Sequence, residues 1–319
     1  MRANLWLRSA SRVVVRVATF RATEFYELEK RAQRIEWERY LGNGATPEFR
    51  VTARKSKLYH SDAIAQRLAA ACPRPSAAVS PRSQLFIVRV VNNEFTISAD
   101  TSGDLLHMRG YRQEAGKAPL RENLAAALVL SLDWSGETPL VDPFCGSGTI
   151  PIEAALIARR VPPGRHRHFA FMTWPESEKK RWHQLLSAAD AVSRDLPVEI
   201  LGSDRDAGVI EAAQANAARA GVPEVRFSVA PVSAVEAPAG IGVIATNPPY
   251  GKRVSEGRDL RNLYAQFGHT LRSRFGEWTV AMFSPEPRLD KQLGLAMRPE
   301  FRTETGGIPI AAMVGKVAD

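Results

Sequence analysis

The stretch Val141-Asp-Pro-Phe-Cys-Gly-Ser-Gly-Thr149 decides the fold of this chain, because it joins a short apolar strand to an apolar helix. The strand is predicted over 139–142 and the helix over 150–160. Gly146 and Gly148 remove side chains where a ligand must approach the backbone closely. The start of the helix presents unpaired N–H groups and a positive dipole end to such a ligand. The stretch therefore predicts a ligand-binding loop.

The glycine spacing of this loop differs from that of the common nucleotide-binding loops. It has neither the GxGxxG pattern of a dinucleotide site nor the GK[ST] ending of a P-loop, and it contains no lysine to neutralise phosphates. A lone glycine loop is also common as a plain structural turn. The pattern disfavours a nucleoside triphosphate as the ligand, and it needs support from other motifs.

On both sides of this loop, predicted helices and strands alternate. Helical spacing of apolar residues occurs at 120–132, 207–220 and 258–275, and short strands are predicted at 139–142, 199–202, 225–229, 241–245 and 278–283. Strands separated by helices indicate an α/β fold with a mostly parallel sheet, covered on both faces. A terminal hairpin is predicted within 301–317.

The strand after the glycine loop ends in Gly202-Ser-Asp-Arg-Asp206. An acid at this position can accept hydrogen bonds from both ribose hydroxyls of an adenosine group, as in dinucleotide-binding folds. The alternative role for an acid here is to cap the next helix. We assign the ribose to Asp204 and the cap to Asp206.

The tetrapeptide Asn247-Pro-Pro-Tyr250 follows the strand predicted at 241–245. An exocyclic base amine is a poor nucleophile, and its nitrogen becomes positive when it attacks a methyl sulfonium. The side-chain oxygen of Asn247 and the carbonyl of Pro248 can stabilise that charge, while Tyr250 can stack on a base turned out of its helix. An Asn-Pro turn with an exposed tyrosine has the same local sequence. The order of the three motifs favours transfer of a methyl group to an amine.

The first 107 residues are predicted to form a small α+β module. Helices are predicted within 24–40 and 63–71, and strands at 49–55, 84–91 and 95–98, with Asn92-Asn93 at the last turn. This part of the chain has 17 basic and 10 acidic residues, a net charge of +7, whereas the remaining 212 residues carry only +2. Basic side chains at 50, 54, 55 and 57 stand near Tyr59 and His60, which is compatible with phosphate and base contacts. A solvated polar surface gives the same composition.

Other features of the sequence exclude several classes of protein. Cys72 and Cys145 lie far apart, so neither a disulfide framework nor a cysteine zinc site is expected, and a reducing compartment fits. No apolar run approaches the ~20 residues of a membrane span. The first 23 residues contain arginines and no acid, as in a transit peptide, but their apolar clusters favour a structural role. The histidines at 166, 168 and 183 stand among aromatic residues, which favours aromatic packing over a metal site.

The motifs together resemble those of the THUMP-domain RNA guanine-N2 methyltransferases, particularly the enzymes of large-subunit ribosomal RNA. The similarity extends over nearly the whole chain, including the segments 4–12, 102–112, 118–126, 142–149, 202–206 and 247–253, as well as Trp174. It implies a Rossmann-like class I methyltransferase domain at 108–319. Before it, the resemblance implies a small α+β THUMP-like RNA-binding domain at 1–107, with a partial ferredoxin-like part at its start. It also implies a cytoplasmic enzyme that uses S-adenosylmethionine and no metal.

The resemblance assigns roles to particular residues. Asn247, Pro248 and Tyr250 would position the guanine amine, and the segment 117–122 would lie beside the methionine part of the cofactor. The candidate cofactor contacts in the glycine loop and at the next strand end are Asp142, Phe144, Cys145, Gly146, Gly148 and Asp204. RNA is the expected partner, either ribosomal RNA or tRNA.

The chain departs from the pattern of the family in three places. Relatives normally have a further β-α-β stretch ahead of the segment 4–12, so an N-terminally shortened RNA platform is expected. An acid expected beside the adenine is replaced by Pro231, so adenine recognition must use other contacts. The second methyltransferase half of some bacterial relatives is not expected, which leaves one activity.

Three other functions are compatible with parts of the pattern. An adenine-N6 methyltransferase of DNA or RNA needs the same tetrapeptide, although the basic first part and Gly251-Lys-Arg253 favour guanine in RNA. A non-catalytic RNA-binding assembly factor would agree with Pro231. A small-molecule methyltransferase is disfavoured by the basic first part. The sequence favours an enzyme that forms N2-methylguanosine.

Overall fold

The computed structural model of the protein describes residues 1–42, 45–73, 83–113, 120–250, 260–285 and 287–318. The chain divides into two compact units. Unit 1 comprises Met1–Trp6, Ala10–Leu106 and Arg167–Ser187, and unit 2 comprises Leu7–Ser9, His107–His166 and Ala188–Asp319. The segment Arg167–Ser187 therefore belongs to unit 1, although in sequence it lies between two segments of unit 2.

Unit 1 contains a sheet of four described strands with the order β1-β4-β3-β2. The strands β2 and β3 are parallel, and the other neighbours are antiparallel. The helices and strands of this unit are α1 (Arg2–Trp6), β1 (Val14–Arg21), α2 (Phe25–Ala32), β2 (Thr46–Arg54), α3 (Ser61–Ala71), β3 (Ser83–Val91) and β4 (Glu94–Asp100). Asn92 and Asn93 both have positive φ, which confirms the predicted tight turn between β3 and β4.

One face of this sheet is covered by helices. Inward-facing residues of the strands, such as Phe86, Val88 and Ile97, pack against Leu28 of α2 and Leu68 of α3. The helix predicted within 24–40 is wrong in its length, because α2 ends at Ala32 and only a 3₁₀ turn follows at 37–39. The Ala32 carbonyl, which a longer helix would bond to residue 36, accepts from the Ile35 N–H at 3.1 Å and from the indole N–H of the buried Trp37 at 2.9 Å.

Unit 2 contains a sheet of seven described strands with the order β10-β11-β9-β8-β5-β6-β7. The strands β5 to β9 form parallel pairs, and β11 and β10 add antiparallel strands at one edge, so the predicted mostly parallel sheet is confirmed. The strands are β5 (Leu140–Asp142), β6 (Ile200–Asp204), β7 (Arg226–Val229), β8 (Val243–Thr246), β9 (Thr279–Ser284), β10 (Met297–Thr305) and β11 (Ile308–Lys316).

Helices cover both faces of the larger sheet. Successive strand residues belong to opposite clusters: Leu140 belongs to the cluster of Leu124 and Ile152, whereas Val141 belongs to the cluster of Phe267 and Leu271. This burial on both faces explains why the strands are apolar without alternation. The remaining helices are α4 (Glu122–Leu130), α5 (Thr149–Ala158), α6 (Lys179–Ala191), α7 (Ala207–Arg219), α8 (Arg261–Arg274) and α9 (Pro287–Asp290). Most of α6 lies in the segment Arg167–Ser187 of unit 1.

The remaining predictions of local structure have mixed outcomes. The terminal hairpin is confirmed by β10 and β11, which turn at Gly306 and Gly307 with positive φ. The aromatic segment around the histidines does form a packed cluster, in which Phe169, Phe171 and Trp182 have ring centroids 5.6–5.7 Å apart. Within the described part of the chain, no helix has the length and apolar character of a membrane span.

Candidate active site

The candidate site lies where the strand order of unit 2 reverses. The strand β5 has β6 on one side and β8 on the other, and all three run parallel. Such a reversal leaves a crevice outside the carboxyl ends of the strands, where open α/β sheets bind ligands. The glycine loop follows β5, Asp204 ends β6, and Asn247 to Tyr250 follows β8. The three motifs predicted from the sequence therefore meet at one edge of the sheet.

The glycine loop has a backbone that only glycine adopts easily. Gly146 has φ +50° and Gly148 has φ +82°. A Cβ added to Gly146 would meet no atom within 4 Å, so this position opens onto free space. A Cβ added to Gly148 would instead lie 2.9 Å from the ring of Phe227. Gly146 thus leaves room for a ligand, whereas Gly148 is required by packing and backbone conformation.

Asp142, the last residue of β5, is almost completely buried. Its Oδ1 accepts hydrogen bonds from the Phe144 N–H at 3.1 Å and from the Thr246 hydroxyl at 2.6 Å. Its Oδ2 is buried with no hydrogen-bond partner among the described residues. Burial raises the pKa of Asp142 to about 7, and the nearby charge of Asp204 acts in the same direction. A buried acceptor without a partner is costly, and a bound ligand with a hydrogen-bond donor or positive charge would satisfy it.

Asp204 and Asp206 differ in their contacts. Asp206 accepts hydrogen bonds from the Gly208 and Val209 N–H groups, so its predicted role as the N-cap of α7 is confirmed. The carboxylate of Asp204 joins the two loops, because Oδ2 accepts from the Gly146 N–H at 3.1 Å and Oδ1 accepts from the Asp206 N–H at 3.1 Å. These bonds orient the carboxylate and leave further acceptor positions on each oxygen.

Two other residues of the glycine loop are packed into the protein. Cys145 is buried, its N–H donates to the Ser203 carbonyl at 2.9 Å, and burial raises the pKa of its thiol well above the ordinary value. Phe144 is half-buried, with its ring 5.3 Å from that of Phe267 in an edge-to-face contact. Cys145 is therefore held as a neutral thiol, and Phe144 is braced by α8.

The tetrapeptide after β8 is partly enclosed. Pro248 is buried, and Asn247 and Tyr250 are half-buried. The Asn247 Oδ1 has no hydrogen-bond partner among the described residues. Burial raises the pKa of Tyr250, and a side-chain hydrogen bond from Asn247 acts in the opposite direction. The arrangement offers an acceptor oxygen of Asn247 beside an aromatic ring, which suits an amine attached to a planar base.

Several residues that hold this site have no signature in the sequence. Thr246 bonds Asp142 across neighbouring strands, and the Asn216 side-chain amide donates to the Ser147 carbonyl at 3.1 Å. The Tyr264 hydroxyl lies 3.5 Å from the Pro249 carbonyl. These contacts depend on which strands and helices are neighbours, so local spacing cannot reveal them. The only local signal is a polar residue at the end of an apolar strand, as Thr246 is.

Some predicted residues lie outside the described part of the chain. Of the segment 117–122, residues 117–119 are outside it, and the same applies to Gly251-Lys-Arg253. The described end of the first segment includes Glu122, which is buried and accepts a hydrogen bond from Arg112 at 2.9 Å. Burial raises the pKa of Glu122 to about 7.

Comparisons with known proteins agree with this geometry. A family model described as an RMKL-like methyltransferase domain, UPF0020, matches residues 109–310. "Putative RNA methyltransferase slr0064" of Synechocystis is 35% identical over 97% of this chain and 83% of its own length. "Ribosomal RNA large subunit methyltransferase K/L" of Syntrophotalea carbinolica is 36% identical over 96% of this chain. The match covers 46% of that protein, so the chain spans about half its length.

Solved structures share the fold over the whole chain. A "predicted N6-adenine-specific DNA methylase" from Listeria monocytogenes is 33% identical with a TM-score of 0.87, covering 98% of this chain and 84% of its own. SMU.472, a "putative methyltransferase complexed with SAH", is 28% identical with a TM-score of 0.87, covering 99% of this chain and 86% of its own. SAH is the demethylated product of S-adenosylmethionine, so this structure supports the cofactor expected from the sequence.

The residues of the site also fit S-adenosylmethionine. Gly146 opens onto free space, and the buried Oδ2 of Asp142 has no partner among the described residues. Carboxylates at the ends of β5 and β6 suit a ligand that carries positive charge and ribose hydroxyls. The fold, the fit of the site and the match over residues 109–310 agree, and the chain belongs to the UPF0020 family of RMKL-like, S-adenosylmethionine-dependent methyltransferases.

Proposed function

We propose that this protein is an RNA methyltransferase that forms N2-methylguanosine in large-subunit ribosomal RNA. The observation that supports the chemistry most directly is the buried Oδ1 of Asn247, which has no hydrogen-bond partner among the described residues. A ribosomal RNA substrate is supported by the name of the Syntrophotalea relative, and an RNA substrate by that of the Synechocystis relative. In this proposal unit 2 carries the chemistry.

In the proposed reaction, Asn247 Oδ1 and the Pro248 carbonyl accept hydrogen bonds from the target amine. Tyr250 stacks on the base and fixes the amine in line with the methyl group. As the nitrogen attacks, it becomes positive, and the two acceptors stabilise that charge. S-adenosylmethionine, when bound, would supply the methyl group as a sulfonium, and the bond from sulfur to methyl would break so that neutral S-adenosylhomocysteine leaves. Water takes up the excess proton late in the reaction, since the sequence contains no obvious general base.

The proposed cofactor contacts follow from the geometry of the loops. Asp204 would accept the ribose hydroxyls, since its carboxylate is already oriented by the Gly146 and Asp206 N–H groups. The segment from Asp142 to Gly148 would face the methionine part of the cofactor. Phe144 and Cys145, which are both packed into unit 2, would shape this loop rather than bond the cofactor through their side chains.

The proposal also assigns the two parts of the chain. Residues 1–107 would form the THUMP-like part that binds RNA, and 108–319 the methyltransferase domain. The charge of +7 in the first 107 residues supports this division, because phosphates attract basic surfaces.

The test is methyl transfer from labelled S-adenosylmethionine to ribosomal RNA, followed by digestion to nucleosides. We expect N2-methylguanosine from the unchanged protein and a loss of about 100-fold or more in kcat for Asn247→Ala, the size seen when a transition-state hydrogen bond is removed. Asn247→Asp keeps acceptor oxygens at this position and should retain more activity than Asn247→Ala. Binding of S-adenosylhomocysteine, measured by calorimetry, should be similar in all three proteins. Full activity of Asn247→Ala would contradict the proposal.

A second candidate is methylation of the N6 amine of adenine. The Listeria structure, which carries that description and shares the fold at 33% identity, is the observation in its favour. The acceptors of the tetrapeptide suit either amine. Nucleoside analysis separates the two candidates, because N6-methyladenosine in the digest would replace the guanine proposal by this one.

A further inference from the structure

One face of the sheet of unit 1 lies opposite the core that packs against α2 and α3, and most of its charged residues are exposed. In the antiparallel pairs, residues directly opposite each other point to the same side of the sheet. Arg89 of β3 is opposite Thr96 of β4, and Arg16 of β1 is opposite Ser98. The parallel register of β2 and β3 aligns Thr52 with Arg89. These side chains all lie on the open face, which is the side of the sheet away from α2 and α3.

This open face is basic. Its exposed residues carry a net charge of +3, from five arginines and two glutamates: Arg16, Arg21, Arg50, Arg54 and Arg89, with Glu48 and Glu94. Asp100 lies on the same face but is buried, and Arg12 pairs with it. Among the residues that the structure describes, none of these five arginines forms an ion pair within 4.0 Å. The positive charges of unpaired arginines on one exposed face repel each other, and together they attract a polyanion.

Several neighbours of the arginines carry hydroxyl groups, and Ile87 and Val91 lie beside Arg50 and Arg54 on the same face. The row that contains Arg89 runs through Thr52, Thr96 and Thr19, and the next row contains Ser98 between Arg16 and Ile87. Ser98 is buried, but Thr19 and Thr52 are exposed, and arginine together with threonine hydroxyls is a set that contacts phosphate oxygens. The face has no aromatic side chain among its described positions, so it offers no platform on which bases could stack.

We propose that this open face, defined by Arg16, Arg21, Arg50, Arg54 and Arg89, binds the phosphate backbone of the RNA substrate without reading its sequence. The proposal rests on the proposed RNA methyltransferase function and adds where that substrate is held in unit 1. Neighbouring β-strands are ~4.8 Å apart, and alternate residues on one β-strand are ~7 Å apart. Arginines at these spacings can contact several phosphates of one RNA chain at the same time. Affinity should then depend strongly on salt and little on base composition.

The test compares two variants with the same change in net charge. The face variant is Arg50→Gln/Arg54→Gln/Arg89→Gln. The control is Lys30→Gln/Arg31→Gln/Arg34→Gln, which removes three exposed positive charges from α2 and the residues after it, on the other side of the sheet. Binding of the full chain to poly(U) and poly(A) is measured by fluorescence anisotropy at several salt concentrations.

We expect the face variant to bind both polymers about tenfold more weakly or worse, and its slope of log affinity against log salt to fall by about two to three, since each lost phosphate contact lowers the slope by about one. The control should change affinity by less than about twofold, and the unchanged protein should bind the two polymers within about threefold of each other. Equal losses in both variants would show a general effect of net charge and overturn the proposal. Unchanged affinity of the face variant would overturn it as well.

Three further measurements separate this proposal from others. Loss of binding to phosphatidylserine vesicles in the face variant, with RNA binding intact, would overturn it in favour of a membrane surface. Circular dichroism and thermal unfolding check that both variants fold, and the exposed positions make a large loss of stability unexpected. Methyl transfer tests the proposed function separately. If activity depends on Asn247 but the face variant binds RNA normally, the proposed function stands and only this inference is overturned.

Discussion

Asp142 is a carboxyl group whose ionisation opposes folding. Burial raises its pKa to about 7, from about 4 in an unfolded chain. Between these values the unfolded chain loses the proton while the folded protein keeps it, so the free energy of unfolding should fall as pH rises from about 4 to about 7. We expect Asp142→Asn to flatten this part of the profile in urea unfolding at a series of pH values.

The slope should become smaller and not vanish, because burial also raises the pKa of Glu122 to about 7 and adds a contribution of the same sign. Asparagine can still accept the hydrogen bonds of the Phe144 N–H and the Thr246 hydroxyl, so the variant should fold. A profile as steep as that of the unchanged protein would show that Asp142 ionises normally.

Thr246 is the residue that joins the tetrapeptide to Asp142. Its hydroxyl donates to a buried carboxyl oxygen at 2.6 Å, and the side chain is fully buried. Thr246→Val keeps the shape and leaves Asp142 without this donor, which should cost about 1–3 kcal/mol of unfolding free energy and weaken binding of S-adenosylhomocysteine. The matched control is Thr270→Val, because buried Thr270 donates only to the Gln266 carbonyl of its own helix at 3.1 Å. Calorimetry that finds equal binding in both variants would contradict a role of Thr246 in the site.

At the scale of residues, the sequence identifies groups whose role is local. Asp206 is predicted and confirmed as a helix cap, since capping depends only on residues two and three positions later. The ribose contact of Asp204 stays a prediction, although the structure shows its carboxylate oriented by two N–H groups. The contact between Thr246 and Asp142 joins residues 104 positions apart, which no spacing within one motif could indicate.

At the scale of elements, the periodicity of apolar residues predicts a strand or a helix where the same pattern of buried and exposed positions continues along the whole segment. The strand β2 alternates regularly between exposed and half-buried residues and was predicted. The edge strand β1 does not alternate in this way, and α6 carries its apolar residues among charged ones; neither was predicted. The predicted length of α2 is wrong because helical spacing of apolar residues continues past Ala32, whereas the Ala32 carbonyl at the end of the helix accepts local hydrogen bonds from the Ile35 N–H and the Trp37 indole.

The junction between β5 and α5 depends on Gly148 for two reasons that can be separated. Its φ of +82° is strained for other residues, and a Cβ there would lie 2.9 Å from Phe227 and 3.0 Å from the Ala213 side chain. Gly221, which follows α7, has a φ of +73° and open space around its Cβ position. Gly221→Ala should therefore cost about 1–2 kcal/mol from backbone strain alone, and Gly148→Ala should cost more than that. Equal losses of unfolding free energy in denaturant titrations would show that Phe227 moves away without cost.

At the scale of the whole molecule, the sequence predicts the fold class but not the strand order. Alternation of strands and helices predicts a mostly parallel sheet, and the short connections favour neighbouring strands. It does not specify that β8 returns to the other side of β5, which is the feature that brings Asn247 to the glycine loop. It also gives no sign that Arg167–Ser187 belongs to unit 1, or that Leu7–Ser9 belongs to unit 2. Such membership depends on contacts between distant parts of the chain.

The attachment of Leu7–Ser9 to unit 2 depends on a buried charge. The Arg8 guanidinium donates to the carbonyls of Leu156 and Val161 at 3.0 and 2.5 Å, and it lies 3.9 Å from the fully buried Glu153. Burial lowers the pKa of Arg8 to about 10, so its charge persists at neutral pH. Arg8→Ala removes this charge and both donors, and breaking a buried pair from one side costs about 3–5 kcal/mol. The buried Arg109, 3.5 Å from the same carboxylate, would compensate in part and place the loss at the lower end of that range.

Arg226 provides the matched control, since its pair with Glu199 at 2.6 Å is largely exposed. An exposed pair contributes about 0–1 kcal/mol, so Arg226→Ala should change the unfolding free energy little. Urea unfolding of the two variants should therefore differ by more than about 2 kcal/mol, the gap between those two ranges. Removal of Arg8 also leaves the Leu156 and Val161 carbonyls, at and after the end of α5, without the guanidinium donor. Amide hydrogen exchange should therefore increase around these two residues in the Arg8→Ala variant alone. Equal stability of the two variants would mean that Arg109 and Tyr111, whose hydroxyl donates to Glu153 at 3.1 Å, satisfy Glu153, and that Arg8 contributes nothing to the stability of unit 2.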